Sequence, residues 1–335
     1  RKESLLKRLE VLESRIATFV DAVNLDKRLQ GMVDDIDDID RELLLEDKNI
    51  AEINTEEVTL GLPATKFAKL KEIRDSLAPF SKLWGVAHEW RKAHKAWTTG
   101  IVFELDAEEI EKHVRQMNRT CLKVTVVLEE IAPKTIEVLE QVKEEIDRFK
   151  VHLPIISVMS NKGMRDRHWE QVSDAINRPM VPDRISNLFS ERISSCERYI
   201  EQLLIISDNA SKEWAVEKLL STMKNEWEPL VYTYVTEYRG TGAAIVRGES
   251  VDSVQELLDE QIVKTQTLTN LPQAKVFIDE VQSWLKFLET SQAIIDVWLS
   301  VQSSWMYLYP VFGSDDIKRA LESESLAFLQ VDDEW

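Results

Sequence analysis

Between residues 284 and 305, Trp284, Leu288, Ile295, Trp298 and Trp305 fall on one heptad seam. That spacing fits a long helix that buries one stripe against neighbours, and three indoles on the stripe predict a stiff, heavily packed rod. The Tyr-Leu-Tyr-Pro-Val-Phe run beyond it is expected to close the helix at Pro310. Gly313-Ser-Asp-Asp-Ile317 then reads as the start of a second helix.

Other segments share this character. Leu5, Leu9, Leu12, Ile16, Phe19 and Val23 alternate in steps of four and three. A second seam of Leu25, Leu29, Met32, Ile36, Ile39 and Leu43 is displaced by two residues. The phase jump implies either one helix whose buried face rotates or a joint near Asn24. Leu60-Gly-Leu-Pro63 is a helix stop followed by a helix start. A long amphipathic segment then runs from Phe67 to Trp97, with a kink expected at Pro79 and an end at Thr98-Thr-Gly100. Asp106 reads as an N-cap ahead of Glu108 and Glu109, which the helix dipole favours in a first turn. That helix should reach Ile131, and another should span Pro133 to Phe149.

Residues 153–163 read as a loop or short extended crossing, and Met164 to Ile176 as a helix. Two further helices are expected at 186–207 and 210–227. Val231 to Val246, with Arg239-Gly-Thr-Gly242 at its turn, reads as the one β-hairpin. Ser253 and Glu256 have capping-box spacing at the start of the next helix, and the Trp-rich helix is expected from Pro272 to Tyr309. With nine Gly and nine Pro in 335 residues, the fold class is mainly α: elongated stacked antiparallel helical bundles with one small β-hairpin. The expected division is a long helical segment at 1–62, a first helical subdomain at 63–177 and a second at 178–335, with the hairpin near 230–247.

The formal net charge of −18 argues against nucleic acid, whose phosphates are bound by displacing counterions with Lys and Arg, and against an anionic membrane surface. No apolar run has the length of a membrane span, and Arg-Lys-Glu-Ser is no signal peptide. Starting without Met and stopping after Asp-Asp-Glu-Trp335, the chain reads as a piece of something longer. Cys121 and Cys196 read as two buried thiols, and the Asn118 and Asn209 glycosylation patterns as chance matches.

Nothing in the sequence assembles a catalytic centre. Gly240 to Gly248 lacks the Gly-Lys-Ser/Thr ending of a phosphate loop and lies between strands, so it reads as a hairpin turn. Asp34 to Asp40 lacks the Gly and the closing Glu of a calcium loop, while Ile36 and Ile39 continue the helical seam, so its carboxylates read as a solvated face. His88 and His94 are six apart and share no helix face, and His113, His152 and His168 are isolated. Arg165-Asp-Arg-His-Trp169 carries two readings. One is a helix start with Asp166 at its positive end and Trp169 buried. The other is an inter-domain contact surface made by Arg165, Arg167, His168 and Trp169, since Arg and Trp are enriched at interface hot spots.

Asn161-Lys-Gly-Met-Arg-Asp-Arg-His-Trp169 resembles the NPGMRDRHW-type signature of dynein heavy chains, just N-terminal to the motor ring. Trp298 through Gln302 with Trp305-Met-Tyr-Leu308, Gly313-Ser-Asp-Asp-Ile317, and Phe328 through Trp335 resemble three further elements of that family, in the family's order. The resemblance covers roughly Phe67 to Trp335. Lys162 stands where the family commonly has Pro, and Tyr309 where it commonly has Glu. The Met164–Trp169 wording and Leu105-Asp-Ala-Glu-Glu109 are more similar to axonemal than to cytoplasmic heavy chains.

The resemblance implies the linker: a non-catalytic helical arm that crosses the AAA ring and turns ATP-driven changes into a stroke on microtubules in a cilium or flagellum. It implies contact with the AAA ring of the same heavy chain, and intermediate or light chains as partners of the N-terminal helices. No cofactor is expected in this segment, ATP and magnesium belonging elsewhere in the parent chain. A bending linker needs a hinge, expected near 151–164 or 178–186. The rival reading is a spectrin-like scaffold or tethering module without motor activity.

Overall fold

The computed structural model describes residues 1–22, 25–231, 233–235, 238–246 and 248–335; for Asp26, Lys27 and Tyr234 the description is limited to the backbone. Helix dominates, and the described residues divide into two compact units, Arg1–Ser207 and Asp208–Trp335. The positions 62/63 and 177/178, where the sequence suggests boundaries, both lie inside the first unit.

The first unit opens with α1 (Lys2–Ala17), a 3-10 turn at Thr18–Asp21 and α2 (Leu25–Thr59). Leu5, Leu9, Leu12 and Ile16 are buried along α1, and Leu25, Met32, Ile36, Ile39 and Leu43 along α2, so both seams face the core. The chain leaves the helical region at Ala22 (φ −84°, ψ 100°). A single helix is therefore replaced by two; Val23 and the expected joint at Asn24 themselves lie outside the described residues. Asp34 to Asp40 is helical within α2, with Ile36 and Ile39 inward.

The end of α2 shows why Gly61 is there. Leu62 N–H donates to the Glu57 carbonyl (2.8 Å) and Gly61 N–H to that of Val58 (3.0 Å), with Gly61 at φ 75°. This double closure places the residue after the helix in the left-handed region, which glycine enters without a Cβ clash. Glu57 then holds the connection: its carboxylate accepts from Thr65 N–H and Oγ–H (both 2.7 Å) and pairs with Lys2. The ion pair of Arg8 with Glu46 ties α1 to α2, and that of Lys69 with Glu13 reaches from α1 to the next helix.

That helix, α3 (Ala68–Thr99), continues through Pro79 and buries Leu70, Ile73, Leu77, Phe80, Leu83, Trp84, Ala87 and Trp90. Asp106 caps α4 (Ala107–Ile131) by accepting from Glu109 N–H at 3.0 Å. A 3-10 turn at Pro133–Thr135 leads into α5 (Ile136–Lys150). The segment expected to be a loop contains α6 (Leu153–Met159), which buries Ile155, Ile156, Val158 and Met159. Pro154 stands in its first turn, where the missing N–H costs nothing. After α7 (Asp166–Ile176), residues 177–190 are irregular. Asp183 organises them, accepting from Ile185 N–H (3.0 Å), Ser186 N–H (2.6 Å) and Ser186 Oγ–H (2.7 Å) and pairing with Arg192.

Only one turn of α-helix, α8 (Glu191–Ser194), precedes a 3-10 turn at Glu197–Tyr199. The two helices expected at 186–207 and 210–227 are instead one, α9 (Ile200–Trp227), which carries residues of both units. Ser207, Asp208 and Asn209 disfavour helix only weakly, so no break results.

In the second unit β1 (Tyr234–Val235) and β2 (Ile245–Val246) pair antiparallel, Tyr234 opposite Val246 and Val235 opposite Ile245. Gly240 and Gly242 adopt φ 76° and 78° in the turn, which sets the hairpin reading above the phosphate loop. The strands are shorter than the sequence suggests; Tyr232, Thr236, Glu237 and Arg247 lie outside the described residues. Helix α10 (Gly248–Thr269) starts before Ser253, whose Oγ–H donates back to the Glu249 carbonyl (3.0 Å), so the expected capping box is not formed. A 3-10 turn at Pro272–Phe277 leads to α11 (Ile278–Phe312), followed by α12 (Asp315–Ala320) and α13 (Glu322–Glu334). Helix α11 runs past Pro310 instead of ending there, because the donor lost in the last turn removes one bond and Gly313 N–H still closes on Tyr309 O at 3.0 Å. The core of this unit gathers Val216, Leu220, Met223, Leu268, Ala274 and Val281, with Val254, Leu258 and Leu288 beside them.

Candidate functional site

The segment 161–169 is built as a tight turn that launches α7. Asn161 Nδ2–H donates to the Ser207 carbonyl (2.9 Å) and Oγ (2.7 Å), and its Oδ1 accepts from Gly163 N–H (2.8 Å). One side chain thereby fixes the turn and ties it to α9, distant in sequence. Lys162 is exposed, and the turn is held by Asn161. Arg165 is the N-cap of α7. Its backbone N–H donates to His168 Nδ1 at 3.1 Å, and its guanidinium donates to the Lys162 carbonyl at 3.0 Å.

The four candidate contact residues separate into two pairs. His168 and Trp169 are 1% and 7% exposed. Trp169 meets Phe103 edge-on (centroids 5.6 Å, 76°), and His168 turns inward to cap its own helix. Their side chains are committed within the unit because the helix start needs the imidazole acceptor and the core takes the indole. Arg165 and Arg167 keep partial exposure. The surface offered by the motif therefore carries Lys162, Arg165 and Arg167 with the exposed carboxylate of Asp166 among them.

The expected aromatic seam of α11 is also divided. Trp284 stacks on Phe287 (5.1 Å, 19°) against the Val216–Val281 core, with Lys224 Nζ 5.9 Å above its ring. Trp305 is 2% exposed and donates from Nε1 to Asp332 Oδ1 at 2.9 Å. Its ring lies 5.0 Å from Tyr309 and 5.9 Å from Trp335. Trp298 is 47% exposed and meets the ring of Trp335 at 5.2 Å. A uniformly packed rod is thus not what forms. A straight α-helix drifts by about 20° per heptad, which puts Trp298 about 40° and Trp305 about 60° round from Trp284. Trp305 is nonetheless covered because Asp332 and Tyr309 pack on it, so the local neighbours and not the seam decide burial. Gln302 also takes an inward place, accepting from Val246 N–H (2.9 Å) and donating to its carbonyl (3.2 Å). This clamp fastens the hairpin to α11, and the sequence disclosed the residue but not its partner.

A third cluster joins α3, α4 and α5 in the first unit. Trp90 is fully buried, donates from Nε1 to Glu145 Oε2 (2.8 Å) and meets Phe149 edge-on at 5.7 Å. Trp97 stacks on Phe149 at 5.3 Å, and His94 lies 5.1 Å from Trp90 and 5.5 Å from Phe149. His113 bonds Glu89 (2.7 Å) and His152 bonds Glu197 (2.7 Å). Periodicity announced the tryptophans; nothing in the sequence announced that three histidines would border them. Burial lowers the pKa of His94, opposed by Glu145, while burial raises the thiol of Cys121 to about 11 and that of Cys196 above its ordinary value. Among the described residues no group of three or more His, Cys, Asp or Glu is placed to hold a metal ion, and no helix is long and apolar enough to cross a membrane.

A mainly helical body with a paired two-residue hairpin and the 161–169 turn matches the family model described as "Dynein heavy chain, N-terminal region 2" over residues 70–335. The chain belongs to the dynein heavy chain family. It is 31% identical to mouse dynein axonemal heavy chain 3 over 99% of this chain and 8% of that protein. It is 30% identical to human dynein axonemal heavy chain 12 over all of this chain and 11% of that one. Against rat dynein axonemal heavy chain 1 the identity is 34% over 84% of this chain and 6% of the relative. The chain thus spans about a tenth or less of the length of these relatives.

Proposed function

We propose that this chain is the non-catalytic, force-transmitting linker segment of an axonemal dynein heavy chain. It carries ATP-driven changes of the AAA ring to the tail for microtubule-based motility in a cilium or flagellum. The match to the family's N-terminal region 2 over residues 70–335 carries the reading. The relatives named axonemal support the axonemal assignment. ATP and magnesium act elsewhere in the parent chain, and intermediate or light chains are the partners of the N-terminal helices.

In functional terms residues 1–62 are the neck and 63–177 and 178–335 the two halves of the lever. Helix α6 occupies the first of the two hinge regions with a buried apolar face. The irregular stretch 178–186 is therefore the better hinge, with Val181 and Ile185 solvent-exposed. Arg165 and Arg167 are the ring contacts, since both are cationic and partly exposed beside a fixed helix start.

The test is the full heavy chain carrying Arg167→Glu. Loss of nucleotide-dependent gliding with ATP turnover retained is the expected result. Unchanged gliding removes Arg167 from the contact. Replacing residues 63–335 by spectrin repeats of similar length tests the lever itself. Gliding should fail while ATP hydrolysis persists, whereas a tether without a mechanical role would leave gliding intact.

A further inference from the structure

The middle of α11 turns an apolar stripe to solvent. Ile294 and Val297 are 61% and 64% exposed, and Phe287, Trp298 and Val301 lie on the same side of the helix, each more than one-third exposed. With Thr290, Ala293 and Trp335, the side chains of Ile294, Val297, Trp298 and Val301 line an open groove of about 460 Å³. Single exposed apolar residues are ordinary, but a row at helical spacing around a shallow groove has the form of a helix-docking surface.

The charges around the groove state what kind of helix it takes. Helix α11 carries four carboxylates (Asp279, Glu280, Glu289 and Asp296) and one basic side chain, Lys286. Exposed Glu289 and Asp296, four and three residues from Ala293, lie beside the edge of the groove that Ala293 lines. Helix α13, whose end supplies Trp335 to the groove, carries five carboxylates and no basic residue. Asp333 and Glu334 on it are exposed. A second copy of this acidic surface would bring like charges together, and an anionic membrane would meet the same repulsion.

We propose that this face docks a partner's amphipathic helix, with its apolar side in the groove beside Trp298 and its Lys or Arg flanks along Glu289, Asp296 and the end of α13. The assignment does not rest on the linker reading.

The probe is a fluorescent peptide of about 20 residues with Leu at the a and d positions and Lys at e and g, and its Glu-for-Lys counterpart. Binding to the chain is read by anisotropy. The Lys peptide is expected to bind saturably and the Glu peptide not. Ile294→Ser with Val297→Ser should weaken binding on the order of tenfold or more, as should Glu289→Lys with Asp296→Lys. These side chains are already exposed, so circular dichroism should show both variants folded. Equal binding to the serine variant would mean attraction to net charge alone and would overturn the proposal. So would equal binding of the Glu peptide, or no binding by the folded chain. Dimerisation abolished by the serine variant would assign the face to a second copy. Hydrogen exchange at 287–301 slower in the full heavy chain without partner than in this chain would assign it to the heavy chain itself; either result overturns the proposal.

Discussion

Replacing Trp90 should show how far the first unit depends on its aromatic cluster. The indole is 0% exposed and packs against Phe149, Trp97 and His94, while its N–H satisfies Glu145. Truncating a fully buried tryptophan to alanine removes its transfer free energy and leaves a cavity, about 3–5 kcal/mol together. Trp90→Phe keeps a ring against Phe149 and loses the hydrogen bond and part of the volume. Glu145 retains Arg91 at 3.0 Å, so the carboxylate is not stranded and the loss should be nearer about 1–2 kcal/mol. For a unit of this size each kcal/mol moves the melting temperature by about 2–4 °C. Thermal unfolding followed at 222 nm should therefore fall by roughly 6–20 °C for Trp90→Ala and by roughly 2–8 °C for Trp90→Phe. Equal, small shifts for the two variants would refute the enclosure of Trp90 and the packing argument built on it.

Three further outcomes rest on the described side chains. Burial lowers the pKa of His94, so the folded state resists its protonation; stability should be full above the unfolded value of about 6.5 and fall as pH drops below it. His94→Leu should flatten the decline in melting temperature between pH 7.5 and 5.5, and an unchanged slope would count against the assignment. Glu57 is held at about 2 by Lys2 and Thr65, so its contribution is present above the ordinary carboxylate range and lost as pH falls toward that value. Limited proteolysis at pH 7 should therefore cut Glu57→Gln within 60–67 faster than the parent chain. Cys121 and Cys196, buried and with raised thiol pKa values, should resist a thiol reagent at pH 8 in the native chain and both react in denaturant.

Much of this fold is legible because its helices announce themselves by local rules. The α1 and α2 seams, the Gly61 stop and the Asp106 cap each depend on residues within one or two turns, and each forms as the spacing implies. What the sequence conceals depends on tertiary context. Pro154 and Pro310 both look like interruptions, yet one starts α6 and the other sits in the last turn of α11, where little hydrogen bonding is at stake. Trp298 shares a heptad with Trp284 and Trp305, but the neighbours at each turn decide which is covered: Asp332 and Tyr309 enclose Trp305, while Trp298 stays half exposed beside Trp335. The 161–169 motif is visible as composition. That His168 serves as the cap acceptor, leaving Arg165 and Arg167 as the partly exposed members of the four candidate contacts, requires the folded helix start.

As a lever, this segment should move with the nucleotide state of the ring. A fluorescent amino acid introduced at exposed Gln282 of the full heavy chain, paired with an acceptor on the ring, measures that directly. A change in transfer efficiency between the nucleotide-free and ATP-analogue states, lost in the Arg167→Glu motor, is the predicted result. The same efficiency in every nucleotide state, in a motor that still glides, would contradict the account.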